Sequence, residues 1–359
     1  MDKIIGFALF NTTMARKRSK KNKIEPSVLT LNFGTDSVGP DQTGYSYIDL
    51  SQVASLVNRR FYRQGINWAV AGFKVMTATP EEGQSIRSTF IVEKLPNTWI
   101  MSNAWEKGMR TWLQMSNEAL KDNESARPRF MDFKVYADGM HHQLGSANNL
   151  KPFNMNGVAV EGEWDYSTIQ IPDAESGLAP QTIREFDIVA TGASYPGASP
   201  VTTQDAVSLI EGYAASRALP NIIDPNTPDD MADTGTTTPQ NWISAIFNEG
   251  LQQESEVLQD LREQNITAPY PFENDLTVFD THYPGGANQL PGLQIHDMAQ
   301  ISGTTIGGQT FVKGGNFPCG LIKITHSVNA GSISHNLGVQ IDLVPGNHRG
   351  YLCEPMTEM

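Results

Sequence analysis

Residues 68–94 read WAVAGFKVMTATPEEGQSIRSTFIVEK, and this stretch decides the fold class. Trp68–Thr77 and Ile86–Lys94 are runs of strand-forming residues, and Pro80–Gly83 between them has the chemistry of a turn. Upstream, Ser27–Phe33 (SVLTLNF) alternates apolar and polar residues as a half-buried strand does, and Tyr45–Leu50 forms a second short strand. Ser51 then opens a short helix with Val53, Leu56 and Val57 on one face. Downstream, Asn103–Lys121 carries Trp105, Met109, Trp112, Leu113, Met115 and Leu120 near helical spacing. Beyond Arg127-Pro128, alternation resumes in Phe130–Ala137 (FMDFKVYA), Trp164–Ile171 (WDYSTIQI) and Arg184–Ala190 (REFDIVA).

The middle of the chain changes character. Thr191–Thr202 is a Gly/Pro/Ser-rich loop and Thr203–Ser216 reads as helical. Pro220–Gln240 is an irregular surface excursion with Pro220, Pro225, Pro228 and Pro239. Trp242–Gln264 is the clearest helix, with Ile243, Ile246, Phe247, Leu251, Leu258 and Leu261 in a stripe. After the Pro/Gly-rich loop Ala268–Gln289 come four more strands: Leu293–Ile301, Thr304–Val312, Leu321–Ser327 and Leu337–Val344.

Strands at both ends of a loop-and-helix middle describe a sandwich rather than a parallel α/β sheet. The expected fold is mainly β, a single eight-stranded jelly roll of two sheets with helical and loop insertions. It occupies residues 26–359, with 191–290 as an insertion on the outer surface or at subunit contacts. Composition agrees: of 359 residues, 31 are Gly and 21 Pro, and charged residues make up only 18%.

Charge is unevenly placed. Residues 1–24 hold seven basic residues and one acid, leaving 19 basic residues against 38 acids in the other 335, a body of net charge −19. Arg16, Lys17, Arg18, Lys20, Lys21 and Lys23 form a run with no hydrophobic periodicity, so residues 1–25 are expected to be a disordered basic arm. Each arm cation that meets a phosphate releases counterions, which drives sequence-independent, salt-sensitive binding to a polyanion. A solvated tail or nuclear-import signal is the bland alternative. The apolar run Ile4–Phe10 lacks the flanks of a secretory signal, so Met14 is an alternative first residue. No apolar stretch approaches the ~18 residues a membrane span needs, and no membrane insertion is expected.

Chemistry-bearing motifs are sparse. Cys319 and Cys353 form no CxxC and read as buried thiols in a reducing environment. None of the seven histidines lies in an HExxH pair; His141-His142, near Asp138, reads as a surface loop before it reads as a metal site. There is no GxSxG elbow, Walker loop or GxGxxG turn, and Gly145, Gly157, Gly307, Gly308, Gly314 and Gly315 read as strand-junction glycines. Glu161 and Glu163 sit two apart, as a carboxylate pair on one sheet face would, but an ordinary strand entry accounts for them. The Asn-x-Ser/Thr triplets at Asn11, Asn123 and Asn265 read as chance occurrences. Trp99, Trp105, Trp112 and Trp242 lie in apolar patterns, so they read as core or subunit contacts rather than base-stacking platforms. Arg59, Arg60 and Arg63, with Phe61 and Tyr62, form a smaller basic cluster that either extends a polyanion-facing surface or is plain solvated face. No catalytic residue, metal or cofactor is expected.

Met14–Lys23, Phe130–Tyr136 (FMDFKVY), Gly162–Ile171 (GEWDYSTIQI), Gly212–Pro225 (GYAASRALPNIIDP) and Val339–Met359 (VQIDLVPGNHRGYLCEPMTEM) carry a resemblance. The chain resembles capsid proteins of small circular single-stranded DNA viruses that encode a replication initiator (CRESS-DNA viruses), of the divergent stool- and environment-associated type. The resemblance implies a structural protein that self-assembles into an icosahedral virion around circular single-stranded DNA. The arm would face the genome inside and also direct import into the host nucleus during assembly. The Pro-rich middle loops would face outward toward a host receptor. Competing readings are an RNA-virus coat of similar build, a carbohydrate-binding or -hydrolysing jelly roll, and a nuclear nucleic-acid-binding protein.

Overall fold

This computed structural model describes residues 27–121, 125, 127, 131–154, 157–173, 182–194, 196–200, 202–217, 241–246, 292–304 and 308–359. Its strands are β1 (Thr30–Gly34), β2 (Thr43–Asp49), β3 (Ile66–Met76), β4 (Arg87–Lys94), β5 (Phe153–Asn154), β6 (Gly157–Val158), β7 (Thr168–Asp173) and β8 (Thr182–Val189). They continue with β9 (Asp205–Ser208), β10 (Gln294–Ser302), β11 (Gln309–Phe317), β12 (Leu321–Val328), β13 (Gly338–Leu343), β14 (Pro345–Gly346), β15 (Gly350–Tyr351) and β16 (Cys353–Pro355). The helices are α1 (Leu50–Asn58), α2 (Trp99–Leu120), α3 (Gly139–Leu144), α4 (Leu209–Arg217) and α5 (Trp242–Ala245).

The protein is mainly β and built on antiparallel sheets, an arrangement compatible with a sandwich. One sheet runs β1-β13-β3-β11, with β16 also pairing with β3; the other runs β10-β4-β12-β2. Four pairings nest within one another along the chain: β1 with β13, β2 with β12, β3 with β11 and β4 with β10. Two more, β13 with β3 and β12 with β4, complete the sheets. Alternate residues turn inward, as a two-residue side-chain period requires. Leu31, Phe33, Phe73, Val75, Val339 and Ile341 of the first sheet share one core with Ile48, Phe90, Val92, Ile322 and Ile324 of the second.

Several sequence expectations needed correction. The Thr304–Val312 strand begins at Gln309 and continues to Phe317, past two glycines that look like a turn. Lys313 pairs with Gly72 and Gly315 with Val70, so the register runs unshifted across the two glycines. A Cβ at Gly314 would stand 2.1 Å from the Val70 carbonyl oxygen and 2.3 Å from that of Ala71. This backbone approach is what demands glycine there. Thr203–Ser216, read as a helix, opens instead with β9, which pairs parallel to β8 before α4 begins. Phe130–Ala137 is not a ladder strand; within its described part, 131–137, only Tyr136 forms a bridge, to Val189. Of the expected helix Trp242–Gln264, residues 247–264 lie outside the described residues, as do the three Asn-x-Ser/Thr asparagines. Cys319 is buried but Cys353 only partly, and both thiols are free.

The chain leaves the two-sheet core after Lys94 and rejoins it at Gln294, so the interruption is longer than the expected 191–290. Thr98 caps α2 by accepting from the Met101 amide at 3.4 Å. The helix buries Met101, Ala104 and Trp105 in a second core with Phe133, Ile169, Phe186, Leu209 and Trp242. Tyr47, Leu321 and Met356 join this second core from the sandwich side.

Asp49 ties the two parts together. It ends β2 and caps α1, its Oδ1 accepting from the amides of Ser51 (2.9 Å) and Gln52 (3.3 Å). Its Oδ2 accepts from Gln64 Nε2 (3.0 Å), Trp164 Nε1 (3.1 Å) and Tyr166 OH (3.3 Å). Burial raises its pKa and most of these donors pull it back. Gln64 also takes both backbone groups of Val135, at 2.6 and 3.1 Å.

Candidate nucleic-acid interface

The six arm residues expected to bind nucleic acid, Arg16, Lys17, Arg18, Lys20, Lys21 and Lys23, lie outside the described residues. Where the arm joins the body is described. Ser27 Oγ donates to the Arg349 carbonyl (2.6 Å), and the Val28 amide donates to Asn58 Oδ1 (3.0 Å). Asn58 Nδ2 reaches the Tyr351 hydroxyl at 2.7 Å, which in turn donates to the Val28 carbonyl at 2.6 Å. The root of the arm is thereby fixed between the C-terminus of α1 and the β14–β15 hairpin.

Arginines cluster at this root. Arg59 follows α1 directly, and Arg349 donates to the Phe61 carbonyl while the Tyr62 hydroxyl donates to the Arg349 carbonyl at 3.1 Å. Arg59, Arg63 and Arg349 are exposed. Arg59 and Arg349 both hold φ of 52°, the left-handed region that glycine favours at a helix end or tight hairpin. A β-carbon there costs about 1 kcal/mol or more. Strain kept at a basic surface residue is an observation from which a functional role can be inferred. The basic cluster Arg59, Arg60 and Arg63 read from the sequence thus lies beside the arm, and Arg349 joins it from the far end of the chain.

Below these arginines runs a cleft of about 580 Å³ between α2 and residues 131–133. Phe61, Trp105 and Trp112 supply aromatic surface, and Arg63 and Arg349 supply cations. A second cleft of about 820 Å³ shares Phe61, Trp112, Met131 and Asp132 with the first and adds Lys134. Lys107 and Arg110 lie between Trp105 and Trp112 in the sequence, but in the cleft Arg63 and Arg349 are the cations that accompany the two indoles. Asp132 lines both clefts, and burial, partly offset by Lys134, pushes its carboxyl up to about 6.

The remaining candidates are structural. His141 and His142, read as a surface loop, are fully buried on α3, which Asp138 caps through the His141 amide at 2.8 Å. His141 stacks on Tyr47 with ring centroids 4.4 Å apart. Its Nδ1 accepts from the Ala137 amide (3.0 Å), which leaves the proton on Nε2 to face Asn149 Oδ1 at 2.8 Å. His142 Nε2 and Thr202 Oγ1 both point at Asp187 Oδ2, at 2.8 and 2.5 Å, so neither activates the other as a nucleophile–base pair would. Glu161 and Glu163 lie outside any strand, with Glu161 held by Lys151 at 3.2 Å. Among the described residues, no group of three or more His, Cys, Asp or Glu is placed to hold a metal. Among them also, no helix is long and apolar enough to cross a membrane.

The chain matches no known family, curated protein or solved structure. Its function has to be argued from the geometry.

Proposed function

We propose that this chain is the structural subunit of an icosahedral viral shell, a jelly-roll coat protein that packages circular single-stranded DNA through its basic N-terminal arm. The observation that carries the reading is the nesting of four antiparallel pairs. A chain folded once into a long hairpin pairs its first strand with its eighth, second with seventh, third with sixth and fourth with fifth. Rolling that hairpin brings eighth against third and seventh against fourth. With β10–β13 as the fifth to eighth strands, these are six of the seven pairings of the two main sheets, the seventh being β16 with β3. Such rolled two-sheet barrels are common in viral capsids and lectins.

Charge argues for the shell over the lectin. The arm carries six cations in eight residues, on a body of −19. A shell of about 60 copies would gather about 360 arm charges in its interior, and their counterion release would hold a polyanion without sequence preference. The acidic body would discourage the same polyanion from coating the outside. The resemblance of Met14–Lys23, Gly162–Ile171 and Val339–Met359 to CRESS-DNA capsid proteins points the same way, with the virion as the protein's location and the host nucleus as its place of assembly.

Electron microscopy of purified, nuclease-treated protein tests this. Uniform shells with protected nucleic acid are expected, and sequencing the cargo separates DNA from RNA. A small species that never assembles across salt and pH would overturn the reading. Changing the six arm cations to Gln should abolish cargo retention and flatten its salt dependence while the body stays folded; unchanged packaging would remove the arm's role.

A further inference from the structure

The cleft beneath the arm root holds chemistry that a purely electrostatic arm does not need. Phe61 is 37% exposed and Trp112 partly so, at the junction of the two clefts. Arg63 and Arg349 stand at the rim of the first cleft, and Lys134 lines the second. Trp105, only 5% exposed, lines the first cleft with an indole N–H that is buried and has no acceptor. Such an orphan donor costs stability unless something supplies an oxygen. Asp132 offers the complementary acceptor, its Oδ2 only 3.7 Å from Lys134 Nζ.

We propose that this cleft binds a nucleotide of the packaged single strand, its base against Phe61 and Trp112 and its phosphate toward Arg63 and Arg349. The inference rests on the coat-protein reading and adds a base-contacting site to the arm. Single-strand sites combine a cationic track with aromatic faces, because every base has a π-face to stack. The base would bring exocyclic amine protons to Asp132, which lines both clefts, a group that an abasic sugar-phosphate lacks. About 580 Å³ is ample for one nucleotide and lies within the usual range of small-ligand sites. The arm begins at the rim: Ser27 is bonded to the backbone of Arg349, so a strand held by the arm is delivered to the cleft.

The test uses the full chain with its six arm cations changed to Gln, which removes the competing electrostatic site. Binding of (dC)6, its ribose counterpart and a hexamer of abasic sites is followed by fluorescence anisotropy and by quenching of tryptophan emission. The base-bearing hexamers should bind and quench; the abasic hexamer should bind more weakly, with no quenching. Phe61→Leu, at an exposed position, should weaken (dC)6 binding roughly 5- to 100-fold and leave the abasic hexamer unchanged. Arg63→Gln should weaken both and lower the salt slope by about 1. Equal binding of abasic and base-bearing hexamers, or indifference to Phe61→Leu, overturns the site. Shells that protect cargo alongside either result would leave the coat-protein reading intact, whereas failure to assemble would remove that reading separately.

Discussion

His141 makes the fold acid-sensitive in a way that can be calculated. It is fully buried, and burial lowers its pKa from 6.5 to about 4. The geometry explains why protonation is resisted: the second proton would go to Nδ1, which already accepts from the Ala137 amide. The unfolded chain therefore takes up a proton between pH 6.5 and 4 that the folded chain refuses. The stabilisation is fully present above pH 6.5 and is lost as pH falls toward 4. A shift from 6.5 to about 4 at about 1.4 kcal/mol per pH unit comes to between about 3 and 4 kcal/mol, of which about 3 is lost by pH 4, where the folded ring is half protonated. His326, also held at about 4 by burial and by His335, acts in the same direction. Asp132 acts oppositely, because its pKa is raised; its contribution is present below pH ~3.8 and lost as pH rises through about 6. A variant isolates His141 from both. In His141→Gln the amide oxygen takes over the Ala137 bond and the amide N–H can face Asn149, with nothing left to titrate. Urea unfolding of unassembled subunits, followed by tryptophan emission from pH 7.5 to 4, should show the wild type losing about 3 kcal/mol relative to the variant. Parallel stability curves across that range would refute the argument.

Other consequences are simpler to check. Gly314→Ala places a methyl group against two backbone oxygens that cannot move aside, so it should cost about 3 kcal/mol or more in urea unfolding. Arg59→Gly relieves the left-handed backbone and should raise stability by about 1 kcal/mol while weakening binding of single-stranded DNA, a divergence that calorimetry and a salt-resolved titration would reveal together. Cys319 is buried with its thiol pKa pushed well up, and the Cys353 thiol is pushed up to about 12, so an aromatic disulfide reagent at pH 8 should label neither rapidly until urea unfolds the protein.

The strands that bury one face against the core were legible because a two-residue period survives any tertiary context. That is why β3, β4, β12 and β13 fall close to their expected limits. The errors share a physical origin, in partners distant along the chain. Phe130–Ala137 has the alternation of a strand, yet the backbone bonds of its described part are divided among Ser167, the Gln64 side chain, the His141 ring and the 188–191 segment rather than given to one partner strand. Side chains stand where a neighbouring strand would be, and nothing local announces that. The same limit hid the cleft. Arg63, Trp105, Asp132 and Arg349 come from four separate segments, and only Phe61 and Arg63 bring an aromatic and an arginine of the cleft together in one window of sequence. His141 and His142 were misplaced because polarity suggested solvent, whereas Asn149 and Asp187 satisfy the Nε2 of each ring inside the protein.

The division between basic arm and acidic body makes sense only if the two meet at a controlled point. Screening limits the reach of exposed charges to about 8 Å at physiological salt, so the arm's cations act locally wherever the arm lies. Over most of the body a bound strand would meet net negative charge. Beside the arm's attachment it meets Arg59, Arg63 and Arg349 instead, two of them on backbone that glycine would occupy at lower cost. The economical explanation is that positive potential continues from the arm onto the body at this one place, and that the cleft beneath it receives what the arm collects.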